Sequence, residues 1–210
     1  MKSTVQPFEL TWVEYDAQDP LGAVLALVTL SPVFIMVMYA TLVVFQRDLD
    51  AMALLVGQLL NEVLNQILKR TIKQSRPHGA RMSGAGMPSA HAQFLGFFAA
   101  YVVAYTLQRM DHRRRAEKTL TIAGAILLAL LVCVSRVRLG YHTTEQVIAG
   151  AIVGLISGWL WHLLVATVSP GLFPRIAGSA LGKMFYIRDI SHIPDLIVFQ
   201  HELCSHPKQP

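Results

Sequence analysis

Five apolar runs separated by short polar stretches constrain most strongly what this chain can become. Residues 21–45 carry no charged side chain, and runs over 51–68, 90–107, 120–134 and 146–168 repeat the pattern. A bilayer core of about 30 Å is crossed by roughly 20 apolar residues at helical rise. Inside lipid the backbone must satisfy its own hydrogen bonds, which a helix does within one segment. The expected fold class is all-α: a polytopic transmembrane helix bundle of five spans. In this reading residues 1–20 are an interfacial N-terminal segment, 21–168 the transmembrane domain and 169–210 a C-terminal tail.

The charges lie between these runs. Arginine and lysine cluster in the loops and give a formal net charge of +5. They flank membrane-length segments without interleaved aromatics, so no nucleic acid is expected as a partner. The expected partners are the lipid bilayer and a lipid within it. Cys133 and Cys204 lack the spacing of a metal site and carry no functional signal. Glu9, Glu14, Asp16 and Asp19 lie where a cleavable signal peptide would need a basic start and an apolar core, so none is expected. Phe8, Leu10, Trp12 and Val13 form a patch suited to a membrane interface.

Polar residues inside a spanning run face the bundle interior, because lipid offers them no partners. Gln58, Asn61, Glu62, Asn65, Gln66 and Lys69 recur at helical spacing in the second run. Two readings stay open: the stripe glues helices together, or Asn61, Glu62 and Asn65 hold Lys69 in place. In the fifth run Gly150, Gly154 and Gly158 share a face and permit close helix approach, within this chain or between two copies. The oligomeric state is therefore left open. Pro170, Pro174, Pro194 and Pro207 are expected to cut short any helix in the tail, and residues 182–200 to rest on the bilayer surface. Threading five spans puts Lys69–His91 and Arg136–His142 on one side, with the Arg47 turn and Arg113, Arg114 and Arg115 on the other. Lysine and arginine retained in short loops make the second side cytoplasmic. This holds if Lys69, Arg70, Lys73, Arg76, Arg81, Arg136 and Arg138 are discounted as residues held for an anion rather than for topology.

The first side concentrates the chemistry. Lys69 offers a point charge, Arg76 and Arg136 two planar forks, a set suited to a phosphoryl group and its developing charge. Gly84 and Gly86 free the backbone ahead of Pro88 and Ser89. Ser89 sits where it could cap the third span, whose free N–H groups would point at the same anion. His91 and His142 are the ionisable groups here whose ordinary pKa lies near neutrality. Phosphoryl transfer without a metal needs a nucleophile, an acid for the leaving oxygen and cations for the charge. The two histidines and three cations supply all three, and a bell-shaped dependence of rate on pH is expected.

Lys69-x6-Arg76-Pro77, then Pro88-Ser89-Ala90-His91, then Ser135-Arg136-x5-His142 resembles the three-part signature of the type 2 phosphatidic acid phosphatase (PAP2) superfamily. Within it the order and helix pattern are similar to the dolichyl diphosphate phosphatases of the endoplasmic reticulum. The resemblance covers roughly residues 55–160, with Arg188 to Pro194 also like that subgroup. It implies an integral membrane hydrolase of a phosphoric anhydride, with no cofactor and no metal. Dolichyl diphosphate would be cleaved on the lumenal face, leaving dolichyl phosphate for reuse in glycan assembly. Broader lipid phosphates (phosphatidate, sphingoid phosphate, undecaprenyl diphosphate) are the alternative substrates, and a non-catalytic protein that binds anionic lipid the alternative class. The resemblance gives His142 the attack on phosphorus with a phosphohistidine intermediate. It gives His91 the protonation of the leaving oxygen, and Lys69, Arg76, Ser89 and Arg136 the phosphoryl oxygens. Two positions depart from the pattern: Ala90 stands for a glycine, and Gln146 for the acid four residues after the nucleophile. Three roles follow for 143–146: Gln146 orients His142, Glu145 supplies the carboxylate, or Thr143 to Gln146 form a capping box.

Overall fold

The computed structural model of the chain describes residues 13–16, 18–78, 80, 84–109, 115–193 and 195–205. Phe8, Leu10, Trp12, Arg81, Arg113, Arg114, Pro194 and Pro207 lie outside these. The described residues form eight helices, and five segments are long and apolar enough to cross a bilayer. The first is built from two: α1 (Pro20–Thr29) and α2 (Ser31–Gln46). The break falls at Leu30, just before Pro32, which has no N–H to continue the ladder and occupies the first turn of α2. α3 (Leu49–Ile72) begins with the Asp48 carboxylate accepting from the Ala51 N–H at 3.1 Å. α4 (Ala90–Arg109), α5 (Arg115–Arg138) and α6 (Thr144–Gly178) complete the bundle.

α4 is the central post, packed most closely on α6. Gly154 makes that possible, because a Cβ there would lie 2.1 Å from the Gln93 carbonyl oxygen. Gly150 and Gly158 meet Ser89 and Phe97 in the same way, so this glycine face is used within the chain. Between α3 and α4 the buried contact is polar. Gln93 donates to the Asn61 side chain at 3.0 Å and accepts from Asn65 at 2.8 Å. Outward faces carry exposed apolar side chains such as Phe34, Val63, Leu127 and Ile152, as a surface solvated by lipid requires.

The tail differs from expectation. α6 runs through Pro170 and Pro174 to Gly178, losing two ladder bonds on one face without ending. After α7 (Ala180–Met184) the chain returns to the bundle. Arg188 accepts from Leu49 N at 3.1 Å, donates from its own N–H to Arg47 O at 2.8 Å, and reaches Gln46 through its side chain. α8 (Leu196–Ser205) follows. Antiparallel alternation places Lys69, His91, Arg136 and Thr144 at one end of the bundle, and Asp50, Arg109 and Arg188 at the other.

Candidate active site

Helix ends, not the loops between them, hold most of the chemistry. Lys69 lies in the last turn of α3, His91 in the first turn of α4 and Arg136 in the last turn of α5. Past Arg138 the backbone reverses at Gly140, whose φ of 73° is one that L side chains rarely adopt. The reversal folds over Arg136, whose carbonyl accepts from both Tyr141 N (3.1 Å) and His142 N (3.2 Å). Arg136, 3% exposed, stacks on the Tyr141 ring at 4.0 Å and donates to Thr29 Oγ1 at 3.2 Å. Arg76 reaches the same corner from the α3–α4 connection. Its Nη1 donates to the Tyr141 carbonyl at 3.2 Å and lies 3.4 Å from His142 Nε2.

Gln146 fixes the His142 ring. Its Nε2 donates to the Ser75 carbonyl at 2.8 Å, so its Oε1 must face the other way. There Oε1 accepts from His142 Nδ1 at 3.1 Å and from Thr143 N at 3.3 Å. A neutral His142 bonded in this way carries its proton on Nδ1 and leaves the Nε2 lone pair free, the tautomer an attacking imidazole needs. Gly86 lies under the same amide: a Cβ would come within 2.6 Å of Oε1. Thr143 and Gln146 also form the capping box of α6, so orienting and capping coincide in one side chain. Glu145 is exposed on the first turn of α6 and makes no described contact with His142.

Burial, then the Arg76 and Arg136 charges, push the His142 pKa down to about 3 against the opposing Gln146 bond. His142 is therefore neutral at physiological pH. His91 lies within electrostatic range of Arg136, His142, Lys69 and Arg76. The buried Ser89 Oγ and Arg136 Nε have no hydrogen-bond partner among the described residues. Ser89 therefore does not cap α4; its N–H donates to the Gln146 carbonyl at 3.0 Å. Two unsatisfied buried donors among clustered cations suit an oxyanion. Among the described residues no group of three or more His, Cys, Asp or Glu is placed to hold a metal ion.

The remaining expected residues are distributed as follows. Pro77 closes a turn through its carbonyl to Ala80 N at 3.0 Å, and Ala90 opens α4, half-buried. Asn65 bonds Gln93 and the Pro88 carbonyl (3.4 Å), and Asn61 bonds Gln93, so both hold α4 rather than Lys69. Glu62 accepts from Gln66 at 2.6 Å on its own helix, while its charge reaches Lys69. Arg138 pairs with Asp19 at 3.1 Å on the surface. Three residues were missed in the sequence: Gln93, Tyr141 and Thr29. Gln93 carried a usable signal, an amide in an apolar run, the same signal that drew notice to α3.

The PAP2 superfamily model matches residues 50–170, more than half of the chain. The chain belongs to the PAP2 superfamily. Every residue of the site described above lies within or beside that stretch, apart from Thr29. Dolichyldiphosphatase 1 of Homo sapiens is 38% identical over 206 residues, covering 93% of this chain and 87% of that protein. Lipid phosphate phosphatase gamma of Arabidopsis thaliana is 36% identical over 206 residues, covering 92% and 88%. Among solved structures, a transmembrane PAP2-type phosphatidylglycerolphosphate phosphatase from Bacillus subtilis shares the fold. Its TM-score is 0.62 at 22% identity, over 72% of this chain and 80% of that one. This PAP2 chain is a multi-pass membrane protein.

Proposed function

We propose that this protein is an integral membrane dolichyl diphosphate phosphatase that releases the terminal phosphate and leaves dolichyl phosphate. The observation that carries the reading is the position of His91. It belongs to the cationic cluster around His142, and it also lines an apolar groove of about 630 Å³ between α2, α3 and α4. A phosphate held by the cations would thus have its leaving side toward a channel for a lipid chain. Identity to the human dolichyldiphosphatase supports a polyprenyl diphosphate as the substrate.

In the reaction, His142 Nε2 attacks the terminal phosphorus while Lys69, Arg76, Arg136 and Ser89 hold its equatorial oxygens. The phosphorus–oxygen bond to dolichyl phosphate breaks, and His91 gives that oxygen a proton. Water, deprotonated by the now neutral His91, then cleaves the phosphohistidine and releases inorganic phosphate. Gln146 holds the imidazole on the phosphorus throughout. With the cations held for an anion discounted, the loop lysine and arginine at the opposite end support a lumenal site in the endoplasmic reticulum, with the product available for reuse in protein glycosylation.

The test is phosphate release from dolichyl diphosphate by purified protein in detergent, with chelator present and phosphatidate as competitor. Faster hydrolysis of phosphatidate than of the diphosphate would shift the assignment to a broader lipid phosphatase. Loss of turnover in chelator would end the metal-free mechanism.

A further inference from the structure

A second polar cavity, of about 600 Å³, lies at the opposite end of the bundle between α3, α4, α6 and the returning tail. Its walls are rich in acceptors. Asp50 faces Arg109 at 3.0 Å, and Asp189 of the tail lies within electrostatic range of Asp50. Arg109 thus pairs with Asp50 and also donates to the Ser191 carbonyl, while the Asp189 carboxylate accepts from Ser191 N at 2.9 Å. The two prolines of α6 add to this. Pro170 and Pro174 have no N–H, so the carbonyls of Ala166 and Pro170 lose their helical donors. Both residues line the cavity. His162 also lines it, 7% exposed, with Nδ1 lacking a partner among the described residues and its ring edge-on to Tyr101 at 5.3 Å.

An apolar groove of about 390 Å³ adjoins the cavity, sharing Val165 and Ser169 and continuing along Leu164, Val168 and Leu172. A polar chamber at a helix end, beside an apolar slot along the helix, has the shape of a lipid site. From this juxtaposition we infer that the cavity binds the primary ammonium headgroup of a membrane phospholipid, with an acyl chain in the groove. The chamber is too large for a bare ion. A primary ammonium brings three N–H donors, which match a carboxylate, a proline-freed carbonyl and the His162 ring nitrogen. A quaternary ammonium has none to offer, and an anionic headgroup would face the surplus carboxylate.

The full chain, purified and titrated with phosphatidylethanolamine, phosphatidylcholine or phosphatidylglycerol, is read by native mass spectrometry. Phosphatidylethanolamine should be retained about tenfold more tightly than either other lipid, the worth of a charge-assisted hydrogen bond. Asp189→Asn and His162→Gln should each reduce that preference severalfold. Asp189 sits on the tail, outside the helix packing, so its variant keeps the test open if His162→Gln does not fold. Equal retention of the three lipids, tighter phosphatidylglycerol, or an unchanged preference in Asp189→Asn would each overturn the inference. So would displacement of the lipid by free ethanolamine at the same concentration, which would give the site to a soluble amine. Binding is read by mass, so the result stands whether or not dolichyl diphosphate is the substrate.

Discussion

At the end of the bundle that holds Arg136, a buried guanidinium stacks on Tyr141 and leaves its Nε without a partner among the described residues. At the other end Arg109 is satisfied by Asp50 and the Ser191 carbonyl, and Arg188 by Gln46. Arg136 is buried at its helix terminus and Arg109 half-buried at another, but only Arg109 is answered by a carboxylate among the described residues. A buried charge left without a counter-ion costs several kcal/mol, so an arrangement that keeps Lys69 and Arg136 without a bonded carboxylate among the described residues is explained by an anion that comes and goes. In the proposed reaction the first end holds a phosphoryl group, while at the second Arg109 ties helix and tail together beside the inferred lipid cavity.

The sharpest way to break this comparison is to remove His142, the proposed nucleophile. His142→Ala should lower turnover at least about 10³-fold, with the gel-filtration profile of the folded protein retained. A variant keeping a tenth of the activity would remove His142 from the reaction. Next in size is Arg136→Lys, which keeps the charge but loses the fork and the Tyr141 stack. The expected loss in kcat is about 10²-fold, as for removal of one preorganised donor at an oxyanion. A change confined to KM would show that Arg136 only binds.

At the other end the effect should fall on stability instead. Asp50→Asn removes the counter-charge of Arg109 at 3.0 Å and should destabilise the protein by about 2 kcal/mol. Thermal unfolding in detergent measures this, alongside a kcat within about twofold of the parent, since Asp50 stands a bundle length from His142. A large fall in kcat without loss of stability would mean that the two ends are not independent.

These contrasts mark how far the sequence could be read. The five spans were legible because membrane thickness sets run length, and the site cations because positive charge clustered beside apolar runs is conspicuous. The break at Leu30 was not, since Ser31 and Pro32 sit in a run whose hydropathy never falls. Nor was the passage of α6 through Pro170 and Pro174, where proline's usual helix-ending effect is overridden by a helix packed in a bundle. The roles of Asn61 and Asn65 stay open in the sequence between two readings because their partner, Gln93, lies about thirty residues away. The tail's return to Arg47 and Leu49 depends on backbone bonds across more than 130 residues, which periodicity does not register.

The finest test concerns Gln146, where the first end departs most from a carboxylate-assisted site. In the proposed reaction His142 attacks only when neutral, and with its pKa held down to about 3 it stays neutral as pH falls well below 6.5. The acid limb of kcat/KM in the parent should therefore lie far below pH 6.5, where His142 takes up its proton. Gln146→Glu places a negative charge against Nδ1, stabilises the imidazolium and raises the His142 pKa. The acid limb should move to higher pH, by on the order of one unit. The same change removes the Nε2–H that Ser75 O accepts at 2.8 Å, so the plateau rate should also fall. The two effects separate in one experiment, because limb position reports charge on the ring and plateau height reports loop geometry. Glu145→Gln is the control and should move neither, since Glu145 points to solvent. If the limb stays in place in Gln146→Glu while the plateau falls, the amide serves only to join loops, and the tautomer argument for His142 fails.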